Sequence, residues 1–184
     1  MNVKYTYLTS MVMLFSSAAM ADGRIDFVGQ ITDQSCQVDI DGTPNNATVT
    51  LPTVSNSLLT KVGDTTGDTR FNMTVHDCVT GTDNVSKVAA FFHPGASVSP
   101  DNGRLLQQAT TSQAENVSLQ LIDGTNNTTI NVGSSDQVTG AGYVNLPADE
   151  TSTVTLPYHV RYYSEGATTP GIVNSYVMFN LMYK

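Results

Sequence analysis

Residues 22–36 read DGRIDFVGQITDQSC, and how this stretch is placed decides the rest of the chain. Ile25, Phe27, Gly29 and Ile31 fall on one face of an extended segment, while Arg24, Asp26, Gln30 and Thr32 mostly occupy the other. A period of two is the pattern of a half-buried β-strand. Such a strand needs a sheet edge for its hydrogen bonds and a groove for its apolar face, yet no hairpin turn follows it. From Ile31 to Cys36 the chain spans at most about 18 Å at roughly 3.3 to 3.6 Å per residue, too little to reverse and re-enter a sheet. The segment is expected to point away from its own domain and dock elsewhere, and the remainder should contain a matching gap.

Upstream, Lys4 precedes an apolar run through Met11, Val12, Met13, Leu14 and Phe15 that closes on Ala19-Met20-Ala21. This is the form of a secretory signal peptide with a small-x-small cleavage site, and the run is shorter than the roughly 20 residues a bilayer requires. The expected organisation is a signal peptide over 1–21, an extension over 22–34 and a β-domain over 35–184. Of eight basic residues one is Lys4, so seven face sixteen acidic ones in the mature chain. That balance argues against a nucleic-acid partner. Thr, Ser, Asn, Gly and Val dominate, the usage of an exported β-protein. Cys36 and Cys78 are the two cysteines, and in an exported chain an even pair is most simply a disulfide.

Downstream, strands are expected at Cys36 to Ile40, Thr48 to Pro52, Phe71 to Cys78 and Val85 to His93, then around Leu105, Val117 to Leu121 and Val154 to Tyr162. The last runs through Val177, Phe179, Leu181 and Tyr183. Turns are expected at 41–46 and 100–103 and a polar loop at 63–68, with Ile130 to Val132 as a short partner strand. Pro157 interrupts the cleanest alternation and suggests an edge or a bulge. Short strands separated by turn signals make a β-sandwich. The apolar terminal strand would ordinarily be sealed by a neighbour, and the sequence stops at Lys184 without one. A surplus strand at one end and a missing neighbour at the other are satisfied together if one molecule fills the next. Such a head-to-tail contact does not close, so it leads to a filament.

These residues resemble the subunits of adhesive pili assembled by the chaperone-usher route. The matching features are the signal peptide followed by I-D-F-V-G-Q-I, then S-C-Q-V, L-P-T-V-S at 51–55, and H-D-C ending an alternating strand. R-Y-Y-S-E-G-A-T-T-P-G follows, and the final Tyr183-Lys184 completes the set. The resemblance implies an all-β, incomplete immunoglobulin-like β-sandwich lacking its last strand, with an N-terminal donor-strand extension. It implies Ile25, Phe27, Gly29 and Ile31 as the donor face. Val177, Phe179, Leu181 and Tyr183 become the groove edge that a chaperone and a donor strand pair with, with Gly171 shortly before it and the Lys184 carboxylate as the chaperone's anchor. Strand addition is a general recognition mode of which chaperone–pilin complexes are a known case. The implied partners are copies of itself or sibling subunits, a periplasmic chaperone and an outer-membrane usher, and the implied location is a fimbria on the cell surface.

Catalysis, a cofactor and a metal are not expected. His76, His93 and His159 lie on separate strands or strand ends, and neither G-x-S-x-G nor H-E-x-x-H occurs. Asp64, Asp68, Asp77 and Asp83 lack calcium-loop spacing. The alternative expectation is a secreted carbohydrate-binding module, with the first strand part of a self-contained sandwich that is stable as a monomer.

Overall fold

The computed structural model describes residues 24–79, 85–146, 149 and 151–184; the expected signal peptide and Asp22-Gly23 lie outside them. The chain forms two units, one ending at Ile31 and the other spanning Thr32–Lys184. In the first, residues 24–31 have no ladder, and Arg24 pairs with Asp26 at 2.7 Å.

The second unit contains, among the described residues, β1 (Ser35–Ile40), β2 (Thr43–Pro44), β3 (Thr65–Val79), β4 (Lys87–Phe92) and β5 (Leu105–Leu106). These are followed by β6 (Val117–Asp123), β7 (Thr128–Thr129), β8 (Val144–Asn145), β9 (Val154–Ser164) and β10 (Phe179–Tyr183). The large sheet has the order β2-β1-β3-β9-β6-β5 with β7 also on β6, and the small sheet the order β10-β4-β8. All the strand pairs are antiparallel. The core between the sheets is built on Met73, Val75, Leu121 and Leu156 from one side and Val88, Ala90 and Phe92 from the other.

Local chemistry explains the pairing. Asp41 and Gly42 both have positive φ and set Ile40 opposite Thr43, the conformation a two-residue hairpin requires. On β3 the inward residues are Phe71, Met73 and Val75, and then Cys78. The phase changes because Asp77 adopts φ 46° where the register against β1 shifts. This extra residue turns the Cys78 sulfur inward to bond Cys36, as a bulge does.

Several expectations are corrected. Residues 48–52 alternate between exposed and half-buried but pair with no strand among the described residues. The polar loop expected at 63–68 already belongs to β3 from Thr65, with a register shift around Gly67. The partner of β6 is Thr128–Thr129 rather than Ile130 to Val132, although the Ile130 N–H still reaches the Leu121 carbonyl. Pro157 lies in a central strand, opposite Asn72. Its carbonyl accepts from Gly124, and a strand residue's nitrogen faces the same neighbour as its carbonyl. The missing donor therefore falls where β6 has already ended at Asp123, an edge in local terms only. A one-turn helix, α1 (Asp136–Gly140), also forms.

Candidate functional site

Residues 172–184 run as one extended segment whose two sides are treated differently. On one side every even-numbered residue is held by its own domain. Ile172 exchanges bonds with Ser112 and Ala114, the Asn174 carbonyl accepts from Gln108, and the Asn174 N–H reaches the Gln107 side chain. The Ser97 hydroxyl donates to the Tyr176 carbonyl at 2.6 Å and His93 N–H to that of Met178. Asn180 and Met182 lie opposite Phe91 and Ala89, and Lys184 exchanges bonds with Lys87. In an antiparallel strand alternate residues turn both backbone groups to opposite neighbours. Val173, Ser175, Val177, Phe179, Leu181 and Tyr183 therefore direct theirs away from β4. No strand pairs with β10 on that side among the described residues. The Leu181 carbonyl takes only the neighbouring Asn180 side chain, at 3.0 Å.

The same odd-numbered residues are half-buried and line a groove of about 780 Å³. Its opposite wall is β1 together with residues 45–49 and Leu51, and its floor includes Phe71, Met73, Phe92 and Leu119. From Val173 to Tyr183 the open edge is about 33 Å long at about 3.3 Å per residue. The Cys36–Cys78 disulfide ties β1 to β3 at one end of the far wall. Burial pushes the Tyr183 phenol up from its ordinary range, and the Cys36 backbone partly offsets this, which puts the two walls in reach of each other there.

The expected groove-edge residues Val177, Phe179, Leu181 and Tyr183 lie together on this edge, and Lys184 follows at its end, its carbonyl accepting from Ser86 and Lys87. Gly171 does not line the groove. A Cβ there would overlap the backbone of Gln113 and Ala114, so glycine lets the segment enter its course beside that loop. Ile25, Phe27 and Ile31 are 77, 90 and 98% exposed. Sequence reasoning missed Val173 and Ser175 as part of the edge and residues 45–49 and Leu51 as part of the far wall. The alternation of Val173, Ser175 and Val177, continuous with the last strand, was the signal for the first. Among the described residues no group of three or more His, Cys, Asp or Glu is placed to hold a metal.

A sandwich of two antiparallel sheets with one long unpaired edge over an apolar groove is the class of protein that fold and site define. The family model described as FimA: Type-1 fimbrial protein, A matches residues 51–184. The major fimbrial subunit SMF-1 of Stenotrophomonas maltophilia (strain K279a) is 36% identical over 170 residues, covering 91% of this chain and 95% of that protein. The F17 fimbrial protein of Escherichia coli is 37% identical over 174 residues and covers 92% of each. The P pilus rod subunit PapA has the same fold, with a TM-score of 0.55 at 14% identity over 81% of this chain and 99% of that one. The chain belongs to the type-1 fimbrial protein A family. It is a structural subunit of a fimbria, with an immunoglobulin-like sandwich.

Proposed function

We propose that the groove is filled by a strand from another polypeptide, in the assembled fibre residues 22–34 of a second copy or of a sibling subunit. Before assembly a periplasmic chaperone lends the strand, and at an outer-membrane usher the incoming extension replaces it. The observation that carries this reading is the segment 172–184, held by its own domain through even-numbered residues and open through odd-numbered ones. The exposed apolar set Ile25, Phe27 and Ile31 supports it. These side chains enter the groove, with Gly29 where it is shallow, and each contributes about 1.5 to 3 kcal/mol when fully buried. Val177, Phe179, Leu181 and Tyr183 supply the backbone ladder, and Lys184 gives the chaperone its grip. The Cys36–Cys78 disulfide holds the far wall. Each subunit donates at one end and accepts at the other, so the contact repeats without closing and builds a rod on the cell surface that serves adhesion.

The test is deletion of residues 22–34 behind the intact signal peptide. The expected product is an exported, chaperone-bound subunit that does not extend a fibre, read by electron microscopy of sheared cell-surface material. Fibres built from the deleted subunit alone would overturn the reading.

A further inference from the structure

The outer faces of the two sheets differ in chemistry. On the large sheet the outward residues are mostly polar, among them Arg70 opposite His159, Asn72, Thr74, and Arg161 bonded twice to the Gln120 side-chain oxygen. On the small sheet and the segment leading into it they are Tyr176, Met178, Asn180 and Met182, with Phe91 of β4 and His93 just after it beside them, their rings edge-on at 5.4 Å. Met178 is 67% and Tyr176 54% exposed. Large apolar side chains gathered on the outside of a strongly acidic protein mark a contact surface. Residues 24–31 hold a matching oddity. Val28 is 99% exposed, yet it lies on the face opposite Ile25, Phe27 and Ile31, which groove filling leaves outward.

We propose that Val28 of one copy packs against Met178 of the next on the outer face of the small sheet, and that this pair reinforces, from outside the groove, the register that Gly29 favours within it. The inference rests on the strand-exchange reading above and goes beyond it. A period of two lets the inward set slide by two residues and still point inward, so the alternation alone does not choose a register. In an antiparallel arrangement with Val28 opposite Met178, Asp26 meets Asn180, Arg24 meets Met182 and Gln30 meets Tyr176. Sliding by two one way puts Val28 opposite the polar Asn180. Sliding by two the other way places the Asp26 carboxylate on Met178. Backbone geometry favours the contact too. The even-numbered residues here turn their hydrogen bonds to β4, so towards a new antiparallel neighbour they occupy non-hydrogen-bonded sites, where Cα atoms lie about 4.5 Å apart and side chains are closest.

The test uses the full chain with Val28→Cys and Met178→Cys together, assembled into fibres in its native host. Sheared fibres are boiled in detergent without reductant and run on a gel. A reductant-sensitive ladder of multimers is expected from the double variant and from neither single variant. A ladder from Val28→Cys with Tyr176→Cys or Asn180→Cys, but not with Met178→Cys, overturns the register. Fibres without a ladder from any pair overturn the outer-face contact while leaving strand exchange standing; fibres from the 22–34 deletion overturn strand exchange itself. Should the cysteine variants fail to assemble, heat stability of fibres in detergent decides. Val28→Asp is expected to dissociate at a lower temperature than the native fibre and Val28→Ile is not, and equal temperatures for all three overturn the proposal.

Discussion

The two edges of the small sheet are finished in opposite ways. Along the outer edge of β4, Lys87 and Val88 pair with β8. The Ala90 N–H donates to the buried Tyr158 hydroxyl at 3.1 Å. Phe92 is met by the Gln137 side chain, which accepts from its N–H at 2.9 Å and donates to its carbonyl at 3.0 Å. The carbonyl also accepts from Gly133. A strand too short to cover this edge is replaced by side chains that imitate one. The edge of β10 receives no such treatment, although its side chains pack on the same core. Backbone groups near a core cost free energy when unpaired, so the contrast between an edge largely sealed by side chains and one left open supports the proposal that another strand fills the open edge.

That contrast can be broken from either side. The largest effect is expected from Phe27→Asp, which would carry a carboxylate into an apolar groove at a cost of several kcal/mol. It should abolish fibres while the subunit retains the far-ultraviolet dichroism of the native one. Phe27→Ala should weaken the exchanged strand by about 3 to 5 kcal/mol, read from the heat or denaturant concentration at which fibres dissociate. Replacing Cys36 and Cys78 by Ser releases the far wall and should cost about 2 to 5 kcal/mol of subunit stability in urea unfolding. On the sealed edge, Gln137→Leu or Tyr158→Phe leaves the Phe92 N–H or the Ala90 N–H without a partner. Each lost partner should cost about 1 to 3 kcal/mol, lowering the unfolding midpoint and leaving strand exchange in place. A sealed-edge variant that stops fibre growth while the subunit stays folded would break the distinction between the two edges.

The smallest effect is pH-dependent and concerns β1, which forms the far wall. The His76 ring lies between Asp77, 3.0 Å from Nδ1, and Asp39 of β1, 3.3 Å from Nε2. The hydrogen bond to Asp77, helped by Asp39, raises its pKa above the ordinary 6.5 against the opposing effect of burial. A raised folded-state pKa means that the stabilisation is fully present below about pH 6.5 and is lost as pH rises through the folded value. The native subunit should therefore exceed His76→Gln in unfolding midpoint most at about pH 5. The difference should shrink towards about pH 8, and one that grew with pH would contradict the ion pair.

Much of this was legible in the residues because it depends on local pattern. Phe71, Met73 and Val75 alternate as a strand must when one face is buried, and Asp41-Gly42 can form a hairpin turn that few other pairs allow. What failed to show was set by long-range pairing. Residues 48–52 have a strand's alternation and no ladder, because alternation reports which face is buried and says nothing of what lies beside it. Pro157 looked like an edge residue, but an edge is a property of the neighbouring strand's length, and β6 stops one residue short of it. Gln137 sits in a five-residue helix with no period to detect, and its amide matters only because folding brings it to Phe92, forty-five positions away.

By itself the sequence determined that the chain is built of alternating strands, that a segment with alternating apolar residues lies near its start, and that its two cysteines have each other as partners. These follow from side-chain polarity, turn chemistry and cysteine number, all of which act within a few residues or through composition. Only the tertiary structure decided which side of residues 172–184 is held and which is open, and how far the open side extends. The physical reason is that a strand's side chains declare its inner face, whereas its hydrogen-bonding edges are the same in every sequence and acquire partners only from what folds beside them.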